Sequence, residues 1–120
     1  MPAFDWKDYL TFAKSLQTRT DEAALRSAIS RAYYAVFCQA RRRWEHDNGP
    51  VPLGVNVHEY IWKTYIDDRD RARQFIGRDG FRMRNFRTEA DYEDSVSDLI
   101  NTMKTTLTLA KKTLLSLDKL

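Results

Sequence analysis

Apolar side chains recur at helical spacing along most of the chain. Trp6, Tyr9, Leu10, Ala13 and Leu16 fall on one face of a helix opening at Asp5, a residue type suited to an N-cap. A second helix is predicted from about Asp21 to His46. Its stripe of Leu25, Ala28, Ile29, Ala32, Tyr33, Val36, Phe37, Ala40 and Trp44 keeps the 3.6-residue period until Asp47-Asn48-Gly49-Pro50 stops it. Another face of that helix, Ser27, Ser30, Tyr34, Cys38 and Arg41, is small and polar rather than fully charged. Such a face suits an adjacent helix, a partner chain or a ligand.

After a loop over 49–56, a short helix is expected from about Val57 to Tyr65, then an arginine-rich segment from Arg69 to Arg87. Gly77 and Gly80 should bend or weaken any helix there, by about 1 kcal/mol each relative to alanine. The last helix carries Val96, Leu99, Ile100, Met103, Leu107, Ala110, Leu114 and Leu117 in register. Acids from Asp91 to Asp98 stand at its expected start and Lys111, Lys112 and Lys119 near its end, as the helix dipole favours. β-signals are nearly absent. The predicted fold is all-α, an antiparallel bundle of four to five helices in a single domain over 1–120.

Composition narrows the function classes. Apolar residues are 42% and charged residues 31% of the chain, which is globular rather than disordered. No run approaches the roughly 18 apolar residues of a membrane span. The N-terminal residues lack the basic and apolar regions of a secretory signal, and the lone Cys38 suits a reducing compartment, so a cytoplasmic protein is expected. His46, His58 and Cys38 lack metal-ligand spacing, no glycine-rich phosphate loop follows a strand, and no Ser-His-Asp set stands out. No metal or cofactor is predicted.

Charge is more informative. The net charge is only +3, but seven of the arginines lie between Arg69 and Arg87 with Asp70 and Asp79 as the only acids among them. That window carries a formal +5, and Arg41-Arg42-Arg43 adds a second cluster. Arginine's planar fork matches phosphate geometry. On a helix Arg78 and Arg82 share a face, as do Arg84 and Arg87. Guanidinium groups that converge need an anion between them. One reading is a phosphate cradle with Tyr92 stacking on a base or hydrogen bonding. The other is a surface network neutralised by Glu89, Asp91, Glu93 and Asp94, which on spacing alone is the more frequent arrangement.

Two motifs bear on that choice. Ser30-Arg31-Ala32-Tyr33-Tyr34-Ala35-Val36-Phe37-Cys38-Gln39-Ala40-Arg41 resembles the signature of HEPN-domain proteins of the UPF0332-like group. Arg87-Thr88-Glu89-Ala90-Asp91-Tyr92 is similar to that family's second signature, an Arg followed by Ala-Asp-Tyr at the head of the last helix. The resemblance covers residues 21–117. It implies a helical bundle that commonly forms homodimers. Many such proteins are toxins or defence effectors that cut RNA without a metal, and many pair with a nucleotidyltransferase antitoxin.

Catalytic members carry an Arg, often a following polar residue, then a His after four to six positions. Arg84-Asn85 fits the first half, but Glu89, Ala90 and Asp91 occupy the window where His should fall. Arg41 and His46 have the formal spacing at the end of the second helix, which we read as coincidence. Metal-free RNA cleavage needs a base near neutral pH and a cation for the phosphorane charge. The arginines can supply the cation, whereas a carboxylate among arginines is a weak base.

Beside a purely structural helical adaptor whose arginines are solvated, two readings stay open. One is an RNA-directed effector of a toxin–antitoxin or phage-defence system, a metal-independent endoribonuclease with Arg84, Arg87, Glu89, Asp91 and Tyr92 as its catalytic set. The other is a non-catalytic nucleotide- or RNA-binding module that serves as partner or substrate of a nucleotidyltransferase. In both, Arg78, Arg82, Arg84, Asn85, Arg87 and Arg41 are the expected nucleic-acid contacts.

Overall fold

Five α-helices make up the computed structural model, which describes residues 2–120: α1 (Asp8–Ser15), α2 (Glu22–Asn48), α3 (Val57–Ile66), α4 (Arg71–Tyr92) and α5 (Leu99–Asp118). No strand occurs among the described residues, so the predicted all-α bundle is the fold observed. The long α2 is its centre. It packs on α1, α4 and α5, while α3 lies chiefly against α4. Ala28, Ile29, Ala32, Tyr33 and Val36 of α2 are fully buried with Ile61 and Trp62 of α3, Met83 of α4 and Ala110 of α5. Among the described residues no helix is long and apolar enough to cross a membrane.

Most boundaries follow from local chemistry. Asp21 precedes α2, and Gly49 ends it at φ 86°, a left-handed conformation that glycine adopts without a steric penalty. Asn56 caps α3 by accepting from the Glu59 amide, and Asp70 caps α4 by accepting from the Arg73 amide. The first helix starts later than expected. Asp5 Oδ1 accepts from the Lys7 amide in a preceding turn, and α1 proper begins at Asp8.

Two expectations are corrected in α4. Gly77 and Gly80 do not interrupt it; both are buried, and Arg71–Tyr92 is one helix. The glycines serve the packing of α4 on α3. A Cβ on Gly77 would lie 2.7 Å from the Ile66 side chain and 2.9 Å from the Trp62 carbonyl oxygen, and one on Gly80 would enter the Trp62 ring. Absence of a side chain thus permits the close approach that buries Trp62.

The second correction concerns Ala90-Asp91-Tyr92. These residues end α4 rather than head the last helix, which begins only at Leu99 after Asp98 in the left-handed conformation. Asp91, Glu93 and Asp94 therefore stand at the negative end of a helix dipole, an unfavourable place for acids. Arg26 of α2 offsets this. Its guanidinium donates to the carbonyl oxygens of Ala90 at 3.1 Å, Glu93 at 2.6 Å and Asp94 at 3.2 Å, capping α4 from a neighbouring helix.

Candidate functional site

The arginines of α4 separate by position on the helix. Its buried positions are Ile76, Gly77, Gly80, Met83, Arg87 and Ala90, so Arg87 occupies a place on the core-facing stripe. It is only 7% exposed. Its guanidinium carbon lies 5.2 Å from the Tyr33 ring centre and 5.4 Å from that of Tyr34. One carboxylate oxygen of Asp91 is 3.6 Å from a terminal nitrogen, too far for a good hydrogen bond, and the same oxygen accepts from Ser30 Oγ at 3.3 Å. Arg87 Nε is sealed from solvent and has no hydrogen-bond partner among the described residues. A buried cation so incompletely paired is costly, and an anion would relieve it.

Asp91 and Tyr34 line a cleft of about 820 Å³. Its walls come from four parts of the chain: Trp6 and Tyr9 near α1, Arg31 through Arg41 on one face of α2, Asn56-Val57-His58 at the start of α3, and Asp91-Tyr92 at the end of α4. The polar face of α2 predicted to meet a neighbour or ligand meets α4 and borders the cleft. Ser30 bonds α4, while Tyr34, Cys38 and Arg41 open on the cleft. Arg31 lies over the Tyr9 and Tyr34 rings at 5.0 and 5.4 Å. Arg41 Nε is 3.2 Å from Glu45, though not aligned for a hydrogen bond. The cleft is aromatic and basic, and among the described residues Asp91 is the one carboxylate that lines it.

His58 was missed by sequence reasoning, which weighed histidines only for metal ligation, for triads and at a fixed distance after an arginine. It belongs to the inward stripe of α3 with Ile61, Trp62 and Tyr65, and that placement was the available signal. Its ring stacks on Phe37 at 4.0 Å. Nδ1 is 2.6 Å from the Tyr33 hydroxyl, which in turn accepts from Trp62 Nε1 at 3.0 Å. Burial, then the positive charges of Arg87, Arg84 and Arg41, pull the His58 pKa down from 6.5 to about 4. The imidazole is neutral at physiological pH. Burial also pushes the Tyr33 hydroxyl well above the usual tyrosine value, so it stays protonated as a donor.

The other predicted residues do not all converge on this cleft. Arg84 is half-buried against the Phe81 ring, close enough to act on His58. Arg78 and Arg82 lie on the exposed face of α4, against Phe75 and Phe86, and Asn85 and Glu89 are exposed without side-chain hydrogen bonds among the described residues. Of the acids expected to neutralise the arginines, only Asp91 approaches one, Arg87. Tyr92 stands at the cleft's edge, 74% exposed. His46 points away from Arg41 to Asp47, with its side chain 82% exposed. Among the described residues no three His, Cys, Asp or Glu side chains gather as metal ligands.

The chain matches no family model, no curated protein and no solved structure.

Proposed function

We propose that this chain is an RNA-directed helical module of the HEPN type that binds the phosphate backbone at the cleft between α2, α3 and the end of α4. The observation that carries the reading is Arg87, a buried cation whose Nε has no partner among the described residues, backed by Arg84 and behind a cleft lined by Arg31 and Arg41. Tyr34, Trp6 and the exposed Tyr92 supply faces on which bases stack. The motif resemblance adds the setting: a cytoplasmic toxin–antitoxin or defence system, a homodimer, and a nucleotidyltransferase as antitoxin partner.

A second reading, metal-independent RNA cleavage, is favoured by one observation. His58 lines the cleft where the charges of Arg84 and Arg87 reach it, so a histidine stands near the predicted cations although away from the motif position. With a pKa of about 4 it is no stronger a base than a carboxylate until a bound phosphodiester raises that value. One assay separates the two readings. Purified protein is incubated with total RNA in EDTA, alongside Arg84→Ala and Arg87→Ala variants. Binding without cleavage that weakens steeply with salt, by a slope of roughly 0.7 per phosphate contacted, supports the binding module. Cyclic phosphate ends that disappear in either variant support the nuclease. Absence of salt-dependent binding rejects both.

A further inference from the structure

The residues around His58 define how a ligand would be held. The Tyr33 hydroxyl accepts from Trp62 Nε1, and its own proton has one acceptor in range, His58 Nδ1. The reverse arrangement would leave the tyrosine proton buried without a partner, since Tyr33 is fully buried. Tyr33 therefore donates to Nδ1, and the proton of the neutral imidazole resides on Nε2. That nitrogen has no hydrogen-bond partner among the described residues and is not among the polar atoms sealed from solvent, while the ring lines the cleft. The Val57 and His58 amides open α3 at the same place, adding the positive end of its dipole. Behind the cleft wall Arg87, nine-tenths buried, has no partner for Nε among the described residues, and its charge reaches the His58 ring.

We propose that His58 is a ligand-contacting residue of the cleft, whose Nε2–H, aimed by the Trp62–Tyr33 chain, donates to a non-bridging oxygen of an RNA phosphodiester that Arg87 and Arg41 balance in charge. The inference rests on the phosphate-binding reading above and gives it an atom. It also explains why the imidazole is kept neutral: a ring among arginines that carried its own charge would be repelled, whereas a neutral donor is not. An arriving anion reverses this balance. Arg84, Arg87 and Arg41 disfavour the imidazolium in the free protein, and a phosphodiester beside them favours it. The other titratable or charged groups facing the cleft are Tyr9 of α1, Arg31, Tyr34 and Cys38 of α2, and Asp91 and Tyr92 of α4. Of these only Asp91 is an acid, and Arg87 and Ser30 hold it at α4.

The test uses the full chain and a decamer of uridylate, whose diesters and bases do not titrate between about pH 5 and 8, so that a histidine reports alone. The His58 ring proton is followed by NMR against pH, free and saturated with the decamer. The expected result is a midpoint well below 6.5 in the free protein that moves upward on binding, with decamer affinity rising as pH falls through the bound-state midpoint. His58→Ala should lose about tenfold in affinity, as for a hydrogen bond to a charged group. His58→Gln, whose amide nitrogen can take the place of Nε2, should stay within about threefold of wild type. An unshifted midpoint, or wild-type affinity in His58→Ala, overturns the role of His58. If Arg87→Ala still loses salt-dependent binding in that case, the phosphate reading survives alone. Failure of the wild type to bind the decamer overturns both. Uridine monophosphate, tested in parallel at the alkaline end, distinguishes a free nucleotide from the polymer as the preferred source of phosphate.

Discussion

Replacing Arg87 by methionine tests whether its charge serves the fold or a ligand. The change keeps the length of the side chain within the stripe of Ile76, Met83 and Ala90 and removes the cation. Two ring contacts, with Tyr33 at 5.2 Å and Tyr34 at 5.4 Å, are lost, at about 1 kcal/mol or somewhat more each. The Asp91 pair at 3.6 Å contributes little, roughly 0–1 kcal/mol, because it is long and the carboxylate is partly solvated. Against this, an unsatisfied buried donor costing about 1–3 kcal/mol disappears, together with the desolvation of a guanidinium. The two sides nearly cancel. Arg87→Met is expected to unfold in urea within about 1 kcal/mol of wild type while losing the salt-dependent part of its RNA binding. Arg84→Met, changing a half-buried residue, should weaken binding less. A destabilisation beyond about 3 kcal/mol would refute the reasoning, because it would make Arg87 a structural ion-pair partner and not a charge held for a ligand.

Other outcomes follow from the same geometry. Gly80→Ala sets a methyl group into the buried Trp62 ring, so despite an alanine's gain in helix propensity it should cost about 2 kcal/mol net, read by thermal denaturation; Gly77→Ala should act in the same direction. Stability should depend on pH through His58. Its folded pKa lies near 4 and its unfolded one near 6.5, so the unfolded chain binds more protons between them and stability falls as pH drops through that window. The contribution of His58 to the slope should approach about 1.4 kcal/mol per pH unit for one proton, and the slope should fall by that amount in His58→Gln. Arg26→Ala removes three hydrogen bonds from the end of α4 and should cost about 1–3 kcal/mol, with faster amide exchange confined to the last turn around Asp91 and Tyr92.

Periodicity made the fold legible because burial and helix repeat are the same signal in α2, where nearly every apolar position on the stripe is buried, and in α5 from Met103 onward, whereas Leu99 is only partly buried and Ile100 is exposed. It misled at α4, where two glycines read as weak points. Helix propensity is a property of the isolated chain, but Gly77 and Gly80 act through the surface of α3, which no local window contains. The acids from Asp91 onward misled for a similar reason. The backbone beneath them is capped by Arg26, which holds the carbonyl oxygens of Ala90, Glu93 and Asp94 from 64 to 68 positions earlier, and without that cap the acids look like the start of a helix instead of the end of one.

The site was legible only in part, and the division has a physical cause. Charge counting treats seven arginines alike, yet their environments differ, because the helix turns Arg87 inward while leaving Arg78 and Arg82 in solvent. An exposed arginine interacts weakly with any anion through water, whereas one between two tyrosine rings meets little screening. The stripe of α4 already contained that information, since an arginine on a core-facing position is the anomaly worth following. His58 is the matching anomaly on α3. The two meet only in three dimensions, through Tyr33, whose ring lies under the guanidinium and whose hydroxyl fixes the imidazole. A phosphodiester at the cleft would accept from His58 Nε2–H and offset the charge of the buried Arg87 behind it, and that pairing, more than the number of arginines, is what points to a binding site.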